Sequence, residues 1–439
     1  MRLFREYFYE MILAIISFFL LILLIAPYWF GFRMQTNYEM VLKSLSAHTD
    51  YSYEVISFNR GWFSTDADLL VKNSNNDALM YLKHQIIHGP VYLGLLLDGD
   101  SPIVSMVIKG EVIPVTKTDA VISRLYSDEK RISIHAVIQS NTDTVLTLTI
   151  PDINEDVGAT KYKFDNINFK LKYLSDSNRY QGELTAKEIK IIGTSVFDVN
   201  NLIMSFDQHV NQNNLVGDLV LSFSSLKTKL SQQMFDVKQL SLRLRNKKSS
   251  HLLGLNIDAN ASVINVFNEQ LNGLSLGADI SGIEYSYLRD RTISLFTEDD
   301  ADKKYLRSDD YGLFKAVNIE PFDFITEHGS FSSKLTLTQS SPTNNTENRF
   351  FIKNKPELNL VVGDTLFKRI YEIVVNKYNV KATKANQFIH SMVRANYLEK
   401  NSNKFQLRLS NKDEKIMVND LLIDHDDLKS NLSSAFFLN

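Results

Sequence analysis

His84 and His88, in the stretch HQIIHGP, are the two residues best spaced for metal chemistry in this chain. Side chains four positions apart share one face of a helix and one face of a strand, so either element would aim both imidazoles the same way. A metal ion needs a third and a fourth ligand, and neither an HExxH pattern nor a nearby carboxylate supplies them. Gly89 and Pro90 follow at once and end the element, so the pair reads as structural, with His88 bonding a turn. Asp66 and Asp68 share one strand face, and Glu298, Asp299, Asp300 and Asp302 cluster in a loop. General acid–base work needs two carboxyls at a defined separation in a site that shifts their pKa values. Nothing around these acids signals such a site, and both groups read as solvated. The chain has no GxSxG, no P-loop and no GxGxxG. It has no cysteine, which excludes disulfides, thiolate nucleophiles, cysteine-ligated zinc, iron–sulfur clusters and a lipoprotein anchor. No catalytic residue, no cofactor and no metal site is expected.

The bulk composition narrows the class further. With 439 residues, 44% of them hydrophobic and 23% charged, the chain can bury a sizeable core and is not a disordered polyelectrolyte. A net charge of −3 with mixed signs removes the electrostatic case for nucleic acid as a partner. Only 17 glycines and 8 prolines are present, so turns must rest on Asn, Asp and Ser, as in NSNND, NQNN and SPTNNTEN.

The elements that must position these residues are strands. IVSMVIKGEVI, RISIHAVIQS, TVLTLTI, INFKLKYL, LVGDLVLSFSSLKTKL, LSLRLRN, LLGLNIDANASV and FSSKLTLTQ alternate apolar and polar residues, the pattern of a sheet with one face covered. In FNRGWFSTDADLLV, Phe63, Thr65, Ala67, Leu69 and Val71 alternate with Ser64, Asp66, Asp68 and Lys72. Asn59, Arg60 and Gly61 precede them. A hairpin loop with Gly61 in the left-handed position fits this spacing, and Trp62 is expected to pack across the hairpin.

An echo runs through the middle of the chain. Phe164-Asp165, Phe197-Asp198, Phe235-Asp236 and Phe267-Asn268 each precede a strand, with a leucine or isoleucine three to five positions on. Repeated hairpins added side by side into one long curved antiparallel sheet would explain it. Residues 284–312 break the pattern with mixed charge. Two amphipathic helices are expected near the C-terminus, one striped by Leu366, Ile370, Ile373 and Val374, the other by Ala385, Phe388, Ile389, Met392 and Val393.

Residues 11–30, MILAIISFFLLILLIAPYWF, carry no charge. As a helix they would span about 30 Å, the thickness of a bilayer's hydrocarbon core. The run ends in bulky residues rather than an A-x-A-like cleavage site, so an uncleaved transmembrane anchor is expected. Arg2 and Arg5 precede it, which places the N-terminus in the cytoplasm and the body across the membrane. The expected organisation is a cytoplasmic tail (1–10), a transmembrane anchor (11–30) and a juxtamembrane helix (31–50). An N-terminal β region (51–160), a hairpin-repeat β region (161–362) and a C-terminal helix–strand region (363–439) follow. The fold class is mainly β with some α.

The charged-then-apolar start and the element Arg60-Gly61-Trp62-Phe63-Ser64 together resemble the YdgA family, Gram-negative inner-membrane-anchored proteins of largely unknown function with a periplasmic body. His84, His88, Gly89 and Pro90 are similar to that family's H-x-x-x-H-G-P segment, and Met417-Val418-Asn419-Asp420 to its closing strands. The family more often has glycine after that asparagine, so Asp420 is a departure. The resemblance implies a location and an architecture and carries no catalytic residue. The expected function is non-enzymatic: envelope maintenance, by sheltering an apolar ligand such as lipid or by scaffolding. A periplasmic hydrolase or glycan-acting enzyme, and a purely structural homodimer, are the alternatives.

Overall fold

The computed structural model describes residues 51–115, 131–284, 315–339, 354–377, 390–412 and 415–423 with short gaps, together with Leu125 and scattered positions between Ser17 and Ser46. Two compact units divide the chain, Met1–Val210 and Asn211–Asn439. Every strand pairing among the described residues is antiparallel, and almost every strand pairs with its neighbour in sequence. This is a meander, the topology that short polar loops favour.

The first unit contains β1 (Ser52–Arg60), β2 (Ser64–Lys72), β3 (Ala78–His88), β4 (Val104–Pro114), β5 (Ile132–Gln139) and β6 (Thr144–Ile150) in order. A short helix, α1 (Gly94–Leu97), lies between β3 and β4. Next come β7 (Ile153–Val157), β8 (Thr160–Asp165), β9 (Ile167–Leu174), β10 (Arg179–Ile192) and β11 (Val196–Asn211). β6 pairs with β9 and β7 with β8, so residues 144–174 form one long hairpin interrupted at Pro151 and Asn166. β10 then pairs along both β8 and β9.

The second unit contains β12 (Asn214–Leu230), β13 (Gln233–Ser249), β14 (Leu252–Val266), β15 (Glu269–Glu284), β16 (Ala316–Thr326), β17 (Gly329–Gln339) and β18 (Asn354–Gly363). Helix α2 (Asp364–Lys377) follows, then β19 (Glu399–Asn401), β20 (Lys404–Lys412), β21 (Lys415–Val418) and β22 (Leu421–Ile423).

Residues directly opposite in an antiparallel ladder share a face, so the register separates the two faces row by row. In the first unit Asp66, Gln85, Lys109, His135, Thr147, Lys170, Glu183 and Ser205 form one polar row. On the other face Thr65, Ile86, Ile108, Ala136, Leu146, Leu171, Gly182 and Phe206 are aligned. The second unit repeats the arrangement. Leu219, Leu244, Ile257, Ala278, Ile319, Leu335, Leu358, Leu409 and Val418 make one apolar row. On the opposite face Asp218 accepts hydrogen bonds from Arg245 (2.8 Å) and Arg243 (2.5 Å), which hold its carboxyl down at about 2.

The apolar rows are covered unevenly. Thr65, Ile86 and Ala136 are buried, whereas from Leu219 to Leu409 every member of the second unit's row is only half-buried. Helix α2 covers one end of that unit, where Leu366, Val362 and Phe405 are buried and the Phe367 and Phe405 rings meet at 5.0 Å.

A left-handed residue recurs inside strands or at the break between consecutive ones. Asn166 and Asn201 in the first unit, and Gln239 and Gly273 in the second, have φ between 50° and 61° or close to it (50°, 51°, 51° and 60°). Each is solvent-exposed, and each reverses the alternation of its strand. In β13, Phe235 and Val237 precede Gln239, and Leu240, Leu242 and Leu244 follow it, so odd apolar positions give way to even ones. The aromatic–acidic echo at Phe164, Phe197 and Phe235 marks the approach to these kinks; Phe267-Asn268 lies outside the described residues.

The expected fold class needs correction. Among the described residues no helix is long and apolar enough to cross a membrane, and these residues form an antiparallel β structure with short helices only. Most of residues 11–24, and hence most of the expected anchor, lie outside the described residues. Where that stretch ends, Ile25–Trp29, Gly31 and Phe32 are helical, with Pro27 and Gly31 buried and Ile25, Tyr28, Trp29 and Phe32 exposed. One side of this piece is spent on contacts with the protein. The pair of amphipathic helices near the C-terminus is not found either. In α2, Leu366 is buried but Ile370, the next position of its stripe, is 38% exposed. Of the second stripe, Ala385, Phe388 and Ile389 lie outside the described residues. Met392 and Val393, in helical residues 390–394, pack around Leu398 and Phe405.

Candidate functional site

The β1–β2 hairpin places Arg60, Gly61, Trp62, Phe63 and Ser64 at its tip, with Arg60 opposite Thr65. Gly61 donates its backbone N–H to the Ser64 carbonyl at 2.7 Å. Contrary to expectation, Gly61 is not among the residues with positive φ. Its requirement is space: a Cβ there would stand 2.9 Å from the Ser64 carbonyl oxygen. Trp62 is 50% exposed, and its ring meets Tyr28 at 4.9 Å. The Arg60 guanidinium lies over Tyr28 at 5.1 Å and over Phe32 at 5.5 Å, and donates to the Tyr28 hydroxyl at 3.4 Å. Phe63, expected on the inward face, is 52% exposed.

His84 and His88 project from β3 on the same apolar face as Ile86, and both are buried. His84 Nε2 pairs with the Tyr38 hydroxyl at 2.9 Å, and the Tyr38 and Phe58 rings meet at 5.5 Å. Burial pushes the Tyr38 phenol up to about 12, so it stays protonated. His84 Nδ1 is buried and meets no hydrogen-bond partner among the described residues. His88 Nε2 pairs with Thr65 Oγ1 at 2.8 Å, and its Nδ1 faces the Trp62 carbonyl at 3.4 Å. Gly31 sits directly on the His88 ring, where a Cβ would come within 2.3 Å. Burial lowers the pKa of both histidines below the usual imidazole value. The two imidazoles thus face different partners, and what they share is the N-terminal segment: Tyr38 on one, Gly31 on the other.

Gly89 and Pro90 extend β3 against the start of β4. Gly89 donates to the Ser105 carbonyl at 2.9 Å, and Val104 donates to the Pro90 carbonyl at 3.0 Å. A Cβ on Gly89 would stand 2.0 Å from the Val104 oxygen, so the close strand approach demands glycine. Asn419 is buried in the second unit, in the two-residue turn between β21 and β22. Its φ is 47° and that of Asp420 is 67°. Asn419 Oδ1 accepts from the Arg408 N–H at 2.7 Å, and Nδ2 donates to the Asn396 carbonyl at 3.3 Å. This side chain ties the last hairpin to the turn before β19.

Two further groupings were not legible in the sequence. On the polar face of the first unit, Asp66, Asp68, Lys83, Gln85, Lys109, Glu111 and His135 line a shallow cleft of about 520 Å³. In the second unit, Glu269, Glu327 and His328 bring possible ligand atoms within 4.8 Å of one another. Arg369 already donates to Glu269 at 2.8 Å, so an ion pair that ties α2 to the start of β15 occupies this cluster. Residues 59 positions apart in sequence meet there, and no spacing could have announced it.

No curated protein and no solved structure matches this chain. The family description "Bacterial protein of unknown function (DUF945)" matches residues 11–423, nearly the full length, and the chain belongs to that family.

Proposed function

We propose that this is a non-enzymatic bacterial envelope protein whose sheet shelters an apolar ligand, a lipid acyl chain. The carrying observation is the half-buried row from Leu219 to Leu409, eight apolar positions in register on one face. Such a row gains about 0.8 kcal/mol for each methylene it takes out of water. A polar face on the other side keeps the sheet soluble while one face stays greasy. The placement that goes with this reading is the inner membrane with the body on the periplasmic side. It rests on the charge-free residues 11–30, the basic residues before them and the resemblance to the YdgA family. Absence of a recognisable nucleophile, acid–base pair or cofactor motif motivates the non-enzymatic part.

Native mass spectrometry of the full chain after gentle detergent extraction tests this reading. Mass increments matching phospholipid or fatty acid are expected. A lipid-free body that still folds would contradict it.

A second reading has one observation in its favour. β1 pairs only with β2 among the described residues, and Val55 and Ile56 on it are exposed. An edge strand of this kind suits a scaffold that pairs with a second copy. A concentration-independent monomer in analytical ultracentrifugation would remove that reading.

A further inference from the structure

We infer that the β1–β2 hairpin tip and the helical residues 25–29, 31 and 32 form one seat on a lipid bilayer surface, with Trp62 and Phe63 at headgroup depth and Arg60 against an anionic headgroup. The inference rests on the proposed membrane placement and goes beyond it by bringing a hairpin from the folded body into the lipid.

The aromatic side chains are the first argument. Tyr28, Trp29, Phe32, Trp62 and Phe63 are between 42% and 59% exposed. A folded domain ordinarily buries rings of this size, and exposed rings grouped together mark a contact surface. They belong to two segments more than 30 positions apart, yet contacts join them: Trp62 on Tyr28, and Arg60 over both Tyr28 and Phe32. Tyrosine and tryptophan favour the membrane–water boundary because one end of each ring system is apolar and the other is polar.

Continuity is the second argument. The charge-free run of the sequence ends at Phe32, inside this cluster. Pro27 and Gly31 turn inward to the protein while Tyr28, Trp29 and Phe32 turn outward. Charge complementarity is the third argument. Arg60 is a cation in the contact cluster, and an anionic leaflet attracts a basic residue at its surface. Its guanidinium lies over two exposed aromatic rings, which hold the positive charge at the same surface as the rings. A protein partner would be expected to offer carboxylates in place of phosphates.

The chain has two tryptophans, Trp29 and Trp62, so Trp29→Phe leaves Trp62 as the only one. The full chain carrying this change is reconstituted in vesicles of phosphatidylethanolamine and phosphatidylglycerol, and circular dichroism confirms its strand content. Trp62 emission is then read against nitroxide lipids labelled at the headgroup, at a shallow acyl carbon and at a deep one, and against iodide in the water. Strong quenching from the headgroup and shallow labels, weak quenching from the deep label and protection from iodide are expected. Trp62→Phe, which retains Trp29, should give the same shallow profile if one surface seats both residues. Shallow quenching of Trp29 with Trp62 open to iodide and untouched by nitroxide would overturn the shared seat, while the membrane placement would stand. Failure of the chain to float with the vesicles would overturn both.

Discussion

At the scale of single residues, glycine and asparagine positions decide where this chain can turn. Gly89 lies against the Val104 carbonyl, and Gly89→Ala should destabilise the first unit by about 1–3 kcal/mol, the range for overpacking. Urea denaturation of the purified chain measures it. Asp420 holds φ at 67°, a conformation that costs a residue with a Cβ roughly 1–2 kcal/mol and glycine little. Asp420→Gly should therefore raise the melting temperature, even after the extra chain entropy of glycine is counted. The sequence showed Asp420 as a departure from a glycine; the paired positive φ values of Asn419 and Asp420 give the reason. Less of the hairpin tip was legible. Arg60, Gly61 and Trp62 stood out as a motif, but their partners Tyr28 and Phe32 lie about 30 positions away in sequence, and local pattern cannot see across that distance. Alternation put Phe63 inward because period two carries no information about where a strand begins.

Elements fail or hold through their alternation and their buried polar groups. The kink at Gln239 requires φ near 51°, and Gln239→Val, which places a β-branched residue there, should cost about 1–2 kcal/mol while Gln239→Gly does not. Chemical denaturation of the two variants side by side separates backbone strain from loss of the side chain. The strands themselves were legible because alternation within one strand is a local signal. Their kinks appeared only as an aromatic–acidic echo, since the left-handed residue differs each time: Asn, Asn, Gln, Gly. On β3, burial holds the pKa of His84 and His88 below that of an exposed imidazole. The unfolded chain then binds more protons than the folded one below about pH 6.5, so stability falls as pH drops through that value. Thermal melts at pH 7.5 and pH 5.5 should show a lower midpoint at the acid pH. Replacing both histidines by glutamine should shrink the difference.

For the whole molecule, the informative feature is a sheet with two chemically different faces and cover over only part of the apolar one. Length and alternation pointed to a β protein. They could not say that the rows would stay in register from Leu219 to Val418, because register is set by pairings between strands and not within them. The expectation of a long membrane helix came from composition alone, and the helical piece that ends the stretch instead spends Pro27 and Gly31 against the body. The apolar row is the basis of the account, and neighbouring residues on β13 allow a matched test of it. Leu242 faces the apolar side and is half-buried, whereas Ser241 faces the polar side and is exposed. Lipid co-purifying with full-length Leu242→Glu and Ser241→Glu, measured by mass spectrometry against the unmodified chain, is the most direct measurement. The account predicts that Leu242→Glu loses bound lipid while Ser241→Glu retains it, with both still folded by circular dichroism. Equal lipid in the two variants, or none in the unmodified chain, would contradict it.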